Sequence, residues 1–265
     1  MKYATTFVLL VATSLLSCVA MNPPSQPPKS HPADLPPDHE DTYVHLRRLV
    51  YMAGNGIAMP IGSYGAGGVC VELTDDGCHV LTVNHFCEPP SEITSEAIIS
   101  LPGKIHFLDI AMTLEGPSGT VEIINTRPAA DLCLLHVEGD FSASVQGIQD
   151  LEAASLFDPL VNYGAPRGMF SPNPRPMLFA YTGLWAGFCT EQCAIPAMEI
   201  EYDNFVVYNI PTSRGQSGSP IFMGRNLFSI QVASNLAIDD YGIGASPDAI
   251  RDFLNDNGID LTLRP

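Results

Sequence analysis

The apolar residues of this chain come in short parcels, each cut off by Gly, Pro, Asn or Asp, and that punctuation constrains the fold more than any other feature. Runs of this length suit strands and are too brief for core helices. Gly68 to Leu73 and Cys78 to Val83 flank Thr74-Asp75-Asp76-Gly77, where Asp-Gly signals a hairpin. Similar runs recur at Ala97 to Leu101, His106 to Leu114, Thr120 to Ile124, Leu132 to Val137, Pro159 to Tyr163, Met177 to Trp185, Phe205 to Ile210 and Leu227 to Val232. Many short strands with turns between them predict an all-β barrel or sandwich, and 22 Gly with 23 Pro leave little room for long helices. One helix is predicted near the end. Ser246 caps it, Pro247 suits its first turn, Asp248 complements its positive end, and Ile250, Phe253 and Leu254 form its apolar face before Asn257-Gly258 stops it. The softer segment Gly147 to Ala154 divides the folded part, giving an N-terminal unit over 44–150 and a C-terminal unit over 151–265.

Ahead of these units, Lys2 precedes an apolar run from Tyr3 to Leu16, shorter than the roughly 18 residues a spanning helix needs. Residues 1–20 therefore read as an export signal. Leu15-Leu16-Ser17-Cys18 resembles a bacterial lipobox, with Cys18 as the acylated residue, while Cys18-Val19-Ala20 suits an ordinary signal peptidase. Lipidation is the preferred reading, because seven of the 23 prolines fall between Pro23 and Pro37 and make residues 21–43 an extended tether. The expectation is a protein attached to the cell envelope or periplasmic membrane through a lipid anchor, with free secretion as the alternative. A formal charge of -17 with scattered cations repels phosphate backbones and so excludes nucleic acid as a partner. Nothing in the sequence indicates an oligomeric state.

Three separated residues carry the candidate chemistry. The segment Thr212-Ser213-Arg214-Gly215-Gln216-Ser217-Gly218-Ser219-Pro220 surrounds a serine with small residues, so the backbone can turn sharply. The Gly215 amide can then stand beside that of Ser217 as a two-donor oxyanion hole. His85 follows an apolar strand, where a strand end can hold a ring at a barrel rim, and Asp131 opens the apolar run Asp131-Leu132-Cys133-Leu134-Leu135. A hydroxyl, a base and an orienting carboxylate are what acyl transfer through a serine requires, and this chemistry needs no cofactor. An α/β-hydrolase order is excluded because the last histidine, His136, precedes Ser217. A zinc site on Cys78, His79, His85 and Cys87 is disfavoured, since adjacent strand residues point to opposite faces, and no metal is expected.

Thr82-x-x-His85, Asp131-Leu132-x-Leu134-Leu135 and Gly215-x-Ser217-Gly218-x-Pro220, in that order, resemble the chymotrypsin and trypsin superfamily of serine peptidases, most closely its bacterial high-temperature-requirement and glutamyl endopeptidase branches. The likeness spans Gly62 to Leu254. It implies two six-stranded antiparallel Greek-key barrels with the active site between them and a short C-terminal helix. His85, Asp131 and Ser217 would form the triad acting on protein or peptide substrates. It implies a pocket lined by Thr212, Gln231 and Val232, without Lys or Arg preference because Pro211 stands where trypsin-type enzymes hold an acid. A Cys70–Cys87 disulfide is implied to fix the histidine loop, Cys189 and Cys193 are placed to bridge locally, and Cys78 and Cys133 read as buried thiols. The aspartate that animal enzymes pair with a new N-terminus is Gln216 here, so activation by N-terminal insertion is not expected. The alternative function is an inactive protease-fold module that binds partners at the cell surface.

Overall fold

The computed structural model describes residues 39–54, 57–88, 104–113, 116–165, 177–189, 202–213, 215–234 and 241–264. The expected strand Ala97 to Leu101 lies outside them. Fifteen strands form two sheets. The first contains β1 (Tyr43–Gly54), β2 (Ile57–Leu73), β3 (Gly77–Val83), β4 (Lys104–Thr113), β5 (Gly116–Pro117), β6 (Val121–Arg127) and β7 (Leu132–Glu138), in the order β5-β4-β1-β2-β3-β7-β6. The second contains β8 (Ile148–Gln149), β9 (Pro159–Gly164), β10 (Phe179–Phe188), β11 (Phe205–Asn209), β12 (Pro220–Met223), β13 (Asn226–Ser234), β14 (Gly242–Ala245) and β15 (Leu263–Arg264).

In the second sheet, β12, β9, β10, β11, β14 and β13 pair in sequence and β13 pairs back to β12, so six antiparallel strands close into a barrel. Its interior is filled by Leu160, Trp185, Val206, Tyr208, Ile210, Ile221, Met223 and Phe228. The first sheet corrects the expectation of a second closed six-stranded barrel. It is a seven-stranded half-barrel, because its edges are β6 and the two-residue β5, and no pairing joins them among the described residues. Pro117 sits on that edge, where its missing donor disturbs no ladder.

The hairpin at Asp76-Gly77 forms as predicted, with Thr74 N–H donating to Gly77 O at 3.0 Å. So does the helix, Pro247–Asp256, whose Ser246 hydroxyl accepts from Ala249 N–H at 3.2 Å. Ile250, Phe253 and Leu254 are buried in an apolar cluster that also takes Val44, Leu46, Leu81 and Leu134 from the first sheet and Phe222 and Ile230 from the second. Each such fully buried side chain contributes about 1.5–3 kcal/mol, and their sharing between sheets makes the seam part of the core. The described residues begin inside the segment expected as tether: Glu40–Thr42 is a 3-10 turn, and His39 stacks on Phe222 at 4.0 Å between ring centroids.

Candidate active site

β3 leads directly into a single helical turn, Asn84–Cys87, while β7 begins at Leu132. Because Val83 pairs with Leu132, the residue after β3 and the residue before β7 meet. Asn84 N–H donates to Asp131 O at 2.9 Å, and His85 N–H donates to Asp131 Oδ1 at 2.9 Å. The Asp131 Oδ2 to His85 Nδ1 distance is 2.7 Å. A carboxylate only accepts, so Nδ1 carries the proton and Nε2 keeps its lone pair toward the seam.

Asp131 is fully buried, whereas the His85 side chain is 44% exposed, the division a base needs if its orienting group is to be dry and its working nitrogen reachable. Asp131 adopts φ 50° and ψ 42° at the end of the Pro128–Ala130 turn. That left-handed geometry is costly for most side chains and tolerated by Asp, and here it aims both carboxylate oxygens at His85.

The Cys87–Cys133 disulfide ties the residues two beyond His85 and Asp131, and Cys70 pairs with Cys78 across the β2–β3 hairpin. The expected Cys70–Cys87 bridge is therefore incorrect, and Cys78 and Cys133 are not free thiols. Cys70 pairs with Val80 in the β2–β3 ladder, and Cys78, two residues before Val80, lies 5.9 Å away (Cα–Cα). Oxidation of Cys78 and Cys87 also removes two ligands of the zinc alternative, and no metal-binding group of three side chains occurs among the described residues. Cys189 is disulfide-bonded; Cys193 and Cys18 lie outside the described residues. These cross-links are consistent with export into an oxidising compartment.

Below the histidine turn, Arg48 holds Asp109 through two 2.6 Å bonds and donates to Cys87 O at 2.9 Å, with its guanidinium 5.1 Å from the Phe86 ring. Charge-assisted forks of this kind are geometrically exacting, so the end of the turn is fixed as well as its start.

The serine arrives from the other sheet. Gln216 N–H donates to Ser213 O at 3.2 Å, closing a turn in which Gly215 has φ +87°. Gly218 also has positive φ, +81°, and its N–H donates to Gln231 O at 2.6 Å. Gly67 N–H of β2 donates to Ser217 O at 2.6 Å, and Thr82 Oγ donates to Gly67 O at 2.7 Å. A Cβ on residue 218 would lie 2.1 Å from Gly67 O, so only glycine lets the nucleophile turn press onto β2 beside the strand that carries His85. Among the described residues, the amides of Gly215 and Ser217 donate to no protein acceptor, as a pair of oxyanion donors would. The Ser217 hydroxyl donates to Val232 O at 3.3 Å rather than to His85. The structure thus brings together the His85–Asp131 pair and leaves the serine–histidine bond unmade.

Of the expected pocket residues, Thr212 donates from Oγ1 to Ser234 Oγ at 2.6 Å. Gln231 is 3% exposed and has both ends of its amide engaged: Tyr208 donates to its Oε1 at 2.9 Å, and its Nε2 donates to Ala233 O at 3.1 Å. Gln231 is therefore held at both ends of its amide. Tyr208 and Ser234 were missed in the sequence. Tyr208 packs over Gly242, where a Cβ would come 2.2 Å from its ring and 2.9 Å from Thr212 Cγ2. Burial raises its phenol well above the usual tyrosine range, so it stays a neutral donor. Ser234 was hidden because a register shift between Gln231 and Ala233 breaks the alternation and puts Ser234, opposite Gly242, on the face of Gln231, opposite Gly244.

No family model matches the sequence, and no curated protein does. Among solved structures, the chain is similar to the Rv3671c protease of M. tuberculosis in its active form, with a TM-score of 0.57 and 13% identity over 85% of this chain and 85% of that chain. It is similar to the inactive form of the Rv3671c protease with a TM-score of 0.55 and 12% identity, covering 83% of this chain and 90% of that one. The likeness shows a shared all-β fold.

Proposed function

We propose that the chain is an exported serine endopeptidase that cleaves peptide bonds through an acyl-enzyme on Ser217. The observation that carries this reading is the His85–Asp131 pair, held by two bonds to one buried carboxylate, beside a glycine-built turn with two unengaged amides. His85 Nε2 takes the Ser217 proton as Oγ attacks the substrate carbonyl carbon, and the carbonyl oxygen, now negative, is held by Gly215 N–H and Ser217 N–H. The protonated imidazole, stabilised by Asp131, then gives its proton to the departing amine. Water repeats the sequence on the acyl group. The pocket wall, with its Thr212–Ser234 hydroxyl pair and engaged Gln231, supports uncharged or short polar side chains and not Lys or Arg.

A second reading, a protease-fold binding module without activity, draws on the Ser217 bond to Val232 O. Catalytic hydrogen bonds are often long or misaligned before substrate binds, which favours the first. A fluorophosphonate probe decides between them: labelling of the wild type that is lost in Ser217→Ala supports the peptidase. A folded wild type that takes no label and leaves a mixed peptide library uncut overturns it.

A further inference from the structure

We infer that Gln216 is a positioning residue that holds the oxyanion turn in its working form from inside the protein. The inference rests on the serine-peptidase reading and adds how its site is regulated. Gln216 is 1% exposed. Its side-chain Oε1 accepts from Ser213 N–H at 2.5 Å, while its own backbone N–H donates to Ser213 O at 3.2 Å. Both backbone groups of Ser213 are therefore bound to one residue, and the turn from 213 to 216 is fastened at its two ends.

What the fastening controls is the direction of one amide. The clamp holds Gly215 at φ +87°, the value that the third position of a type II turn takes. Types I and II differ by a flip of the central peptide, the one that carries the Gly215 N–H, so a turn that relaxes to type I turns that donor away. A third bond, from Ser219 N–H to Gln216 O at 2.9 Å, anchors the same residue on the far side of the nucleophile. The clamp is neutral, needs no partner from elsewhere in the chain, and is complete in this structure. The site is thus assembled without any cleaved N-terminus, and Gln216 does the work that an activation ion pair would otherwise do.

Only the acceptor oxygen of Gln216 is used in this clamp, since Nε2 is buried without a bond. This separates the role from mere packing. Gln216→Glu keeps an oxygen at the same place, whereas Gln216→Met has the same length without it and Gln216→Asn withdraws it by one methylene. The full-length protein and each variant are compared by kcat and KM on a peptide cleaved by the wild type and by the rate of fluorophosphonate labelling. The Met and Asn variants are expected to lose about 10- to 100-fold in kcat and in labelling rate with KM nearly unchanged, and Glu to restore most of both. Wild-type kcat in folded Met or Asn variants overturns the clamp, as does equal loss in Glu. If Met does not fold, Asn against Glu decides. Absence of activity in the wild type as well as in Ser217→Ala would instead count against the peptidase reading itself.

Discussion

The two halves of the seam hold their chemical groups by opposite means. On the first sheet, where His85 and Asp131 sit, the fixing is covalent and charge-assisted: a disulfide two residues beyond each partner, a buried carboxylate, and the Arg48–Asp109 fork under the helical turn. On the second, where Ser217 sits, it is neutral and steric: a closed ring of strands, glycines at positive φ, and backbone hydrogen bonds to Gln216, Gln231 and Gly67. The difference follows from what each half must keep. A carboxylate buried to orient an imidazole needs its full complement of donors, or it would take up a proton. An oxyanion hole needs the reverse, donors left without acceptors, and only a backbone stiffened around them can hold that state. The open first sheet lacks the strand closure that stiffens the second, and its cross-links supply the difference.

The sharpest way to break this comparison is Asp131→Asn. The amide can still accept from His85 N–H, so the fold should survive. Its NH2 would face Nδ1 and force the proton to Nε2, and kcat should fall by about 10⁴. A loss below tenfold, measured with the same peptide, would mean that charge on this half is dispensable. Next in size are the disulfides. The sequence separations of 46 for Cys87–Cys133 and 8 for Cys70–Cys78 predict stabilisation of about 4 and about 2.5 kcal/mol by loop-closure entropy. Paired Cys→Ala variants in urea unfolding should reproduce that order, with labelling of Ser217 slowed only by loss of the Cys87–Cys133 pair. Equal slowing by both would show that the cross-links act on the half as a whole.

An effect confined to acid pH concerns His45 of β1, whose burial, helped by Arg47, lowers its pKa from the usual 6.5 to about 4. The unfolded chain binds a proton there that the folded one refuses. This contribution is therefore complete above about pH 6.5, is lost as pH falls toward 4, and is on the order of 3 kcal/mol. His45→Phe should flatten that part of the urea midpoint against pH, while leaving the slope that arises from carboxylates.

The His85–Asp131 contact and the tight turn at Ser217 were legible in the sequence because each follows from a local pattern: a histidine at a strand end, an acid opening an apolar run, and a serine among small residues. The capped helix and the Asp76-Gly77 hairpin were legible for the same reason. The long strands β1 and β2 were not. The stretch from Gly62 to Gly67 has no apolar run to mark a strand, yet a Cβ on Gly67 would lie 2.6 Å from Ser219 Oγ, so glycine is there to admit the opposite sheet. The disulfide partners were hidden for a related reason, since Cys70 faces Val80 and Cys78 faces Leu73 in the β2–β3 ladder, so the bridge runs diagonally and composition carries no record of it. The number of strands in the first sheet likewise depends on edges that meet, or fail to meet, only in three dimensions.

The bond from Gly67 to the Ser217 carbonyl joins stretches of chain synthesised far apart in time. Ser217 gains this contact only when the two sheets meet. Under the proposed function, a nascent or half-unfolded molecule would contain every reactive group and still be inert toward its neighbours until docking is finished.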